Sequence, residues 1–346
     1  MIQKKAVLEA LSHVMDPDLQ KDLVSLNMIK NLEVKKEAIS FSVELTTPAC
    51  PLKDEIRKAC ETAIRHMVSK TAELNIQMTA RVNPSKLEKG QLTNIKNIVL
   101  VVSGKGGVGK STIATNLAVG LAQEGAKVGL LDADIYGPSV PQMMGLLEAR
   151  PGSSENKKMV PVKKFGVEVN SIGFMLRPDQ ALVWRGPMVT SALKQLVFDT
   201  LWGDLDYLVV DAPPGTGDIH LTLAQAIPIT SVLVVSTPQK VATSDARKAL
   251  AMFKMKGLEK PILGLIENMS YAKMQNGEKS FPFGRGGGEK LAEEFGSKVL
   301  AKIPLDPSFT EAGDAGRPSV LSLAKPMKEM VQKVAQALSI QNIQSK

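Results

Sequence analysis

Hydrophobic and polar residues alternate in two different patterns along the chain, and the pattern changes near residue 84. Before that point, apolar residues recur at helical spacing in two stretches and at alternate positions in three. These spacings predict helices over 6–15 and 51–69, a hairpin over 31–34 and 38–45, and a further strand over 74–82. The first 83 residues are therefore expected to form a small α+β domain.

Continuous apolar runs alternate with helical stretches after residue 94, as they do around parallel sheets that are buried on both faces. The runs predict strands over 98–102, 127–131, 207–210, 231–236 and 262–266, and the patterns between them predict helices over 111–124, 244–255 and 290–295. The polar stretch 84–94 is typical of a linker. We therefore expect an α/β domain over 95–346, a mostly parallel sheet flanked by helices, with ligands at the carboxyl ends of its strands.

The amino-acid composition and net charge limit the classes of ligand and partner that this chain could bind. The 346 residues are 44% hydrophobic and 23% charged, which allows a substantial core and excludes wholesale disorder. No apolar run reaches the roughly 20 residues of a membrane span, and the N-terminus lacks a signal-peptide pattern, so a cytoplasmic location is expected. The net charge of +8 fits phosphate ligands, but a mixed solvated surface gives similar totals. With 4% aromatic residues and a C-terminal stretch, 327–338, that fits a core-packed helix, we expect no specific nucleic acid and no membrane partner.

A glycine-rich segment directly after the 98–102 strand carries the strongest chemical signal. Residues 104–111 match the pattern G-x-x-x-x-G-K-[ST] of the phosphate-binding P-loop. Glycines let successive backbone N–H groups approach a phosphate, and the following helix adds the positive end of its dipole. Lys110 is expected to neutralise phosphate oxygens, and Ser111 to coordinate Mg²⁺. The residues predicted to bind nucleotide here are Gly104, Lys105, Gly106, Gly107, Val108, Gly109, Lys110, Ser111 and Thr112.

Three aspartates follow predicted strands and would therefore lie at the same edge of the sheet. Asp132 and Asp134 come after the 127–131 strand, and Asp211 ends the 207–210 strand in a Walker B arrangement. We expect Asp134 to position or deprotonate the attacking water, Asp132 to serve the Mg²⁺ shell, and Asp211 to contact Mg²⁺ through water. The loop 211–218 is suited to sensing the γ-phosphate.

Lys105 directly follows Gly104, and with it the loop resembles the deviant Walker A segment of MinD, ParA and the nitrogenase iron protein. The resemblance implies a nucleotide-sandwich homodimer in which Lys105 of one protomer reaches the phosphates of the other and takes part in catalysis. A surface lysine without that role is the alternative.

Other segments resemble the Mrp/ApbC family of P-loop ATPases, which carry or assemble iron–sulfur clusters. They are DADIYGPSVP at 132–141, WRGPM at 184–188, DAPPGTGD at 211–218, ENMS at 267–270, FGRGGG at 283–288 and IPLD at 303–306. The stretch TTPACP at 46–51 resembles the small iron–sulfur-assembly domain often fused in front of such ATPases. The resemblance implies ATP hydrolysis, with Asn268 at the adenine edge and the loop from Pro304 to Asp306 packed against the base.

One family feature is missing. Members usually carry a C-x-x-C shortly after the Asn-Met-Ser segment, and two such pairs hold a bridging [4Fe–4S] cluster across the dimer. The stretch 270–283 contains no cysteine here, and the chain's two cysteines are Cys50 and Cys60. The chain is in this respect closer to the plastid high-chlorophyll-fluorescence branch. Because thiolate is the usual cluster ligand, the usual bridging site is not expected.

Cys50 is then the candidate cluster ligand, with plain packing as the alternative. It precedes Pro51, which is typical of a first helical turn, and a helix N-terminus would lower the pKa of the thiol. Cys60 lies on an apolar helix stripe about 15 Å further along the axis and is expected to pack in the core. One thiol per chain could hold a cluster only across a dimer or with an external thiol. For His220, after the 211–218 loop, a solvated or hydrogen-bonded histidine is favoured over a nucleotide sensor.

The sequence thus predicts a homodimeric ATPase that uses ATP and Mg²⁺ in iron–sulfur cluster assembly or transfer. Its partners would be apo iron–sulfur client proteins or scaffold proteins, and any [4Fe–4S] cluster would be bound transiently. Two alternatives stay open: a MinD- or ParA-like positioning ATPase that binds DNA or membrane, and an ATP switch that has lost cluster binding.

Overall fold

The computed structural model describes residues 2–85, 92–175, 186–322 and 324–344, apart from the side chains of 186, 187 and 218. Two compact units make up the chain: residues 2–83 with 339–344, and residues 84–338. The domain limits 1–83 and 95–346, with a linker at 84–94, stay a prediction. Residues 86–91 of that linker lie outside the described residues.

The first unit packs two helices on a small sheet. The helices are Lys4–Leu11 and Lys53–Met67, and the sheet has the order Ile29–Lys35, Ala38–Leu45, Glu73–Ala80. The first two strands form the predicted antiparallel hairpin, and the third runs parallel to the second. Two short strands, Met15–Asp16 and Lys21–Asp22, pair with each other. The buried helix stripe of Ile56, Cys60 and Ile64 shares one core with Phe41 and Val43.

Within the described part of the second unit, eight strands form one sheet. Their spatial order is Val162–Lys164, Val167–Ser171, Val128–Asp132, Leu205–Pro214, Ile95–Ser103, Ser231–Ser236, Ile262–Glu267 and Val299–Lys302. Only the first pair is antiparallel among these described neighbours. The predicted strands all lie in this sheet. Three strands of the sheet were not predicted: Val162–Lys164, Val167–Ser171 and Val299–Lys302. In Val167–Ser171, Glu168 and Asn170 interrupt the apolar run.

The described helices of this unit lie between these strands and after the last of them. They are Lys110–Gln123, Val140–Met143, Gly186–Phe198, Asp218–Ala226, Lys240–Met252, Gly287–Glu294, Pro307–Asp314 and Lys325–Gln344, with 3-10 turns at Ile172–Phe174 and Ser319–Ser322. Two small hairpins pair Gly152–Ser153 with Met159–Val160 and Ala272–Lys273 with Lys279–Ser280. Among the described residues, no helix is both long enough and apolar enough to cross a membrane.

The central strand Ile95–Ser103 is buried on both faces, as its continuous apolar sequence predicts. Ile98, Leu100 and Val102 belong to a core cluster that includes Leu193, Leu223 and Leu250 from three helices. The intervening Val99 and Val101 point to the opposite face and are also fully buried. The strand that leads into the P-loop is therefore held rigidly from both sides.

The C-terminal helix Lys325–Gln344 packs its apolar stripe into the core. Met330, Val331, Val334 and Leu338 are all at most 1% exposed. The interpretation of this stretch as a core-packed helix is confirmed. Its contact with the helix Lys110–Gln123 is close, because a Cβ built on Gly120 would lie 2.5 Å from Cγ2 of Val331.

Substituting Gly120 tests that contact. We expect Gly120→Val to lower the free energy of unfolding by about 1–3 kcal/mol, because the added methyl groups overpack a filled interface. Thermal unfolding followed by circular dichroism measures the loss as a lower Tm. Gln123→Val is the matched control, since it adds the same β-branched residue at an exposed position of the same helix. An unchanged Tm for Gly120→Val would contradict the packing.

Candidate functional site

The P-loop joins the strand Ile95–Ser103 to the helix Lys110–Gln123, in the context that its sequence predicts. Gly107 and Gly109 have φ values of +80° and +81°, which favour glycine. Gly104 is required for a different reason: a Cβ there would lie 2.2 Å from the backbone nitrogen of Ala246. Side chains at these three positions would therefore strain the loop or collide with its surroundings.

Asn268, at the end of the strand Ile262–Glu267, fixes the loop from the side. Its Nδ2 donates a 2.8 Å hydrogen bond to the carbonyl oxygen of Val108. A Cβ on Gly109 would lie 2.2 Å from the same Nδ2 atom. The asparagine predicted to read a base is therefore also a structural support of the loop.

Lys110 is the charged centre of the site. Its Nζ donates to Oδ1 of Asp211 at 2.6 Å, donates to Oγ of Ser111 at 3.2 Å and lies 3.7 Å from Oδ2 of Asp134. The lysine is 6% exposed, and Asp211 is fully buried. The structure therefore brings together the Walker A lysine, the Walker B aspartate and the predicted general base.

Asp132 and Asp211 lie side by side because their strands pair in parallel register, with the two residues as direct partners. The Asp132 oxygens accept hydrogen bonds from the backbone nitrogens of Asp134 and Val140 and from the Ser171 hydroxyl, at 2.9–3.2 Å. Burial, with the Asp211 charge second, raises the pKa of Asp132. Its contacts shape the 132–140 loop, and its place in a magnesium shell stays a prediction.

Asp134 has the properties expected of a proton acceptor. Burial raises the pKa of its carboxyl group, while the Lys110 charge acts in the opposite direction. A carboxylate with a raised pKa is a stronger base at neutral pH. The raised pKa and the position beside Lys110 agree with the role predicted for Asp134, which no direct observation tests.

The residues present fit a magnesium ion. Oδ2 of Asp211 is buried and has no hydrogen-bond partner among the described residues. Such an orphaned carboxylate oxygen is costly unless a cation, a water or another donor meets it. Ser111 lies on the same side, since its hydroxyl contacts the lysine that holds Asp211. Carboxylate and hydroxyl oxygens are ligands that Mg²⁺ prefers.

Lys105 is half-buried, and Oγ of Ser103 donates a hydrogen bond to its carbonyl oxygen at 3.0 Å. No carboxylate lies within 4.0 Å of its ammonium group in the described parts of the chain. A lysine that is not held by an ion pair is free to reach another molecule, and its role across a dimer stays a prediction. The neighbouring Gly106 is exposed, and a Cβ built on it would lie 4.0 Å from Cγ of Pro214.

A cavity of about 310 Å³ opens beside the P-loop and brings together the residues predicted to surround the base. Asn268, Pro304 and Asp306 line it, together with Gly109, Thr112, Met143, Met269, Leu305 and Phe309. Asp306 also caps the helix Pro307–Asp314, because its Oδ1 accepts hydrogen bonds from the Ser308 backbone and hydroxyl at 3.0 and 2.7 Å. These hydrogen bonds lower the pKa of Asp306, which is therefore ionised at neutral pH.

The expected low pKa of Cys50 is wrong. The helix begins at Lys53, with Leu52 at its N-cap, so Cys50 and Pro51 lie before its first turn. Burial raises the pKa of the half-buried Cys50 thiol, and the charges of Asp18 and Asp16 add to the effect. The prediction for Cys60 is confirmed: it is fully buried in the core, and burial raises its pKa to about 12.

His220 is neither solvated nor fully hydrogen-bonded. It is 1% exposed, and its Nε2 atom has no partner among the described residues. Its position two residues after the 211–218 loop was the available sequence signal, but the sequence did not indicate its burial.

The predicted motif WRGPM at 184–188 is described only in part. Trp184 and Arg185 lie outside the described residues.

Two protein families match the two parts of this chain. Residues 94–339 match the family described as NUBPL iron-transfer P-loop NTPase. The chain belongs to that family. Residues 4–74 match a second family, described as iron-sulfur cluster assembly protein.

Curated relatives match the NTPase over nearly its whole length. The iron-sulfur cluster carrier protein of Synechocystis sp. is 44% identical over 93% of this chain and 92% of its own. The carrier protein of Deinococcus radiodurans is 43% identical over 98% and 96%. The chloroplastic Fe-S cluster assembly factor HCF101 of Oryza sativa is 42% identical over 92% of this chain, which spans 60% of that protein.

Solved structures support the fold of the NTPase unit. A nucleotide-binding protein from Archaeoglobus fulgidus, in complex with ADP, is 36% identical with a TM-score of 0.58, over 66% of this chain and 89% of its own. The cell division ATPase MinD of Pyrococcus furiosus has a TM-score of 0.51 at 23% identity, over 69% and 97%, and shows the shared fold alone. The predicted α/β P-loop NTPase fold is confirmed.

No preformed metal-binding cluster accompanies the cysteines. Within the described ranges, no group of three or more His, Cys, Asp or Glu side chains is arranged to hold a metal ion. With two cysteines in the whole sequence, a cluster would need ligands from outside one chain.

The thiol pKa values can be tested by alkylation. Because both pKa values are raised, we expect native Cys60 not to react with iodoacetamide at pH 8 and Cys50 to react more slowly than free cysteine. Mass spectrometry of labelled peptides over time measures both rates. Protein unfolded in guanidinium is the control, in which both thiols should react at the free rate. A native Cys50 that reacts faster than free cysteine would restore the low pKa expected from the sequence.

Proposed function

We propose that this NTPase binds and hydrolyses ATP and uses that cycle to carry iron–sulfur clusters to apo-proteins. The observation that carries the ATPase proposal is the buried Lys110, held between Asp211 and Asp134 at the base of the P-loop. The carrier role is supported by family membership and by relatives that bear the name over nearly the full chain. The same comparisons favour this role over a positioning ATPase that binds DNA or membrane.

The P-loop residues supply phosphate binding. Backbone N–H groups from Gly104 to Thr112 surround the β-phosphate, and Lys110 neutralises oxygens of the β- and γ-phosphates. Ser111, and Asp211 through water, would hold Mg²⁺, which would neutralise charge on the phosphate oxygens. The ammonium group of Lys110 has three N–H donors. It can therefore donate to phosphate oxygens and to Asp211 at the same time.

Asp134 serves as general base in hydrolysis. The oxygen of a water molecule bonds to the γ-phosphorus while the bond from that phosphorus to the β–γ bridging oxygen breaks. The carboxylate of Asp134 takes the proton of the water, and ADP leaves with the electron pair. The raised pKa of Asp134 suits it to accept this proton at neutral pH.

The adenosine part of ATP occupies the 310 Å³ cavity. Asn268 offers its amide oxygen to the base, since its Nδ2 is already used by Val108. Pro304, which is buried, and the residues up to Asp306 pack against the base. The nucleoside therefore joins the P-loop to the helix Pro307–Asp314.

The working unit is a homodimer in the cytoplasm, with two nucleotides between the protomers. Lys105 reaches the phosphates bound by the partner protomer and couples hydrolysis to association, as an arginine finger does. Its ammonium group is not held by any carboxylate among the described residues, which supports this proposal.

The cargo is an iron–sulfur cluster of the [4Fe–4S] type, held transiently. Cys50 is the candidate ligand from this chain, because Cys60 is sealed in the core. The remaining thiolates come from a second copy, a scaffold protein or the apo client. An NTPase that has lost cluster binding is the outcome to be tested against this proposal.

Two lysines of one loop give a matched test of the ATPase. We expect Lys110→Ala to lose ATP binding by at least about 100-fold, because it removes the buried cation that faces the phosphates. Lys105→Ala should keep ATP binding and lose turnover. Equilibrium binding of a fluorescent ATP analogue and release of phosphate measure the two quantities. Unchanged ATP binding in Lys110→Ala would refute the assigned phosphate site.

Anaerobic reconstitution tests the cargo. Wild-type protein, incubated with iron, sulfide and a thiol, should take up a cluster that is seen by absorbance near 400 nm and by iron counting; Cys50→Ser should hold less. Cys60→Ser is the control for loss of an uninvolved thiol, with thermal unfolding to check its fold. If the wild type takes up no cluster, the alternative of an ATP switch without cluster binding is favoured. If wild type and Cys50→Ser hold equal amounts of cluster, Cys50 is not a cluster ligand.

A further inference from the structure

The small hairpin that pairs Ala272–Lys273 with Lys279–Ser280 carries two exposed lysines face to face. Lys273 and Lys279 are direct partners across its antiparallel strands. Side chains directly opposite each other in such a pair lie on the same face, with Cβ atoms about 4.5–5.5 Å apart, and like charges there destabilise the pair. The hairpin therefore keeps two positive charges together at a cost in stability.

Aromatic rings order two cations of this segment without neutralising them. Nζ of Lys279 lies 4.3 Å from the centroid of the Tyr271 ring. The guanidinium carbon of Arg285, in the FGRGGG stretch, lies 3.6 Å from the centroid of the Phe281 ring. A ring attracts a cation but carries no net charge, so both side chains are held in place with their full positive charge. Ordering them in advance lowers the entropy cost of binding an anionic group.

The three cations of this face lack a carboxylate partner within the described part of the chain. No carboxylate oxygen there lies within 4.0 Å of a side-chain nitrogen of Lys273, Lys279 or Arg285. Glu278 precedes Lys279 directly, but its Oε2 accepts a 2.9 Å hydrogen bond from Nδ2 of Asn276 in the turn. The positive charge of the face is therefore available to another molecule.

The hairpin begins at a wall of the proposed nucleoside cavity. The backbone nitrogen of Leu305, which lines that cavity, donates to the carbonyl oxygen of Tyr271 at 2.7 Å. The hydrogen bonds from Ser308 are the main cause of the lowered pKa of Asp306, and the Lys273 charge adds to it. The cationic face thus adjoins the proposed nucleotide site.

We propose that this face binds an acidic segment of a partner protein, with one carboxylate between Lys273 and Lys279 and another on the edge of the Arg285 guanidinium group. A carboxylate between two opposed ammonium groups offsets their repulsion. An arginine that is stacked on a ring keeps its edge N–H donors, which match a carboxylate in bidentate geometry. This inference is independent of ATP hydrolysis and of the cargo, because binding requires only the hairpin face.

Two features favour a peptide over a nucleic acid or a membrane. Nucleic-acid sites without sequence preference stack bases on aromatic side chains, and a base that stacks on this face of Tyr271 or Phe281 must displace the cation from it. Basic segments that bind anionic membranes carry roughly four to eight cations close together, and the face described here has three.

Fluorescence anisotropy tests the proposal with the full chain. The probe is a fluorescein-labelled peptide of alternating glutamate and glycine, and its control has glutamine in place of each glutamate. We expect the glutamate peptide to bind at low salt and to dissociate as NaCl is added, and the glutamine peptide not to bind. No binding of the glutamate peptide would overturn the inference. Tighter hairpin-dependent binding of a single-stranded oligodeoxynucleotide, or of phosphatidylserine vesicles, would also overturn it.

Lys273→Glu supplies a carboxylate from within the chain. Because the new side chain lies directly opposite Lys279, we expect the affinity for the glutamate peptide to fall about tenfold, with no decrease in Tm. Lys256→Glu makes the same change in charge at an exposed position outside the hairpin and should keep the affinity within about twofold. Equal losses in the two variants would show that net charge binds the peptide rather than this face, and would overturn the inference.

Arg285→Gln tests the guanidinium group at an exposed position, where the fold is not at risk. We expect the affinity for the glutamate peptide to fall about fivefold, as for the loss of one surface ion pair. Arg150→Gln is the matched control at another exposed arginine and should equal the wild type. Wild-type affinity in Arg285→Gln would contradict the proposed face. Failure of wild-type ATP turnover would overturn the proposed function and leave this inference standing.

Discussion

A lysine ammonium buried between two carboxylates is the interaction on which the rest of the P-loop unit depends. Lys110 contacts Asp211 at 2.6 Å and Asp134 at 3.7 Å, and Asp132 lies directly beside Asp211 in the sheet. Taking such charges out of water costs several kcal/mol per ion, and the attraction compensates only when the remaining oxygens are bonded. Burial, with the charge of Asp211 as a smaller cause, raises the pKa values of Asp132 and Asp134. Three carboxyl groups around one ammonium group favour a further cation at this site.

The elements that carry this interaction could be predicted from the sequence, but their contacts could not. Apolar runs identify strands that are buried on both faces, and the G-x-x-x-x-G-K-S pattern identifies the loop, because both signals are local. The pairing of Asp211 with Asp132 depends on the register of two strands that are about 80 residues apart in sequence. The strand of Asp211 also continues to Pro214, since the loop beyond it is bound to Ser103. The sequence placed Asp211 at a strand end.

Two residues show where local reasoning gives the wrong chemistry. The proline after Cys50 predicts a low thiol pKa, but the helix starts two residues after that proline. Burial, and the charges of two aspartates 32 and 34 residues upstream, raise the pKa of the thiol. The sequence around His220 favours a solvated or hydrogen-bonded histidine, but the fold buries the ring, and Nε2 has no partner among the described residues. In both cases the deciding quantity is burial by distant segments, which a motif does not contain.

The raised thiol pKa of Cys50 bears on how a cluster would be held. A metal must displace the thiol proton, so a higher pKa weakens binding at a given pH by the same free energy that burial adds to deprotonation. One such ligand per chain cannot enclose a cluster, and Cys60, with a pKa of about 12 and no exposure, cannot complete it. Retention therefore depends on association with a second copy or another thiol-bearing protein. If the protomers associate around ATP and the cluster is held between them, ATP hydrolysis would weaken their association. It would thereby also weaken binding of the cluster.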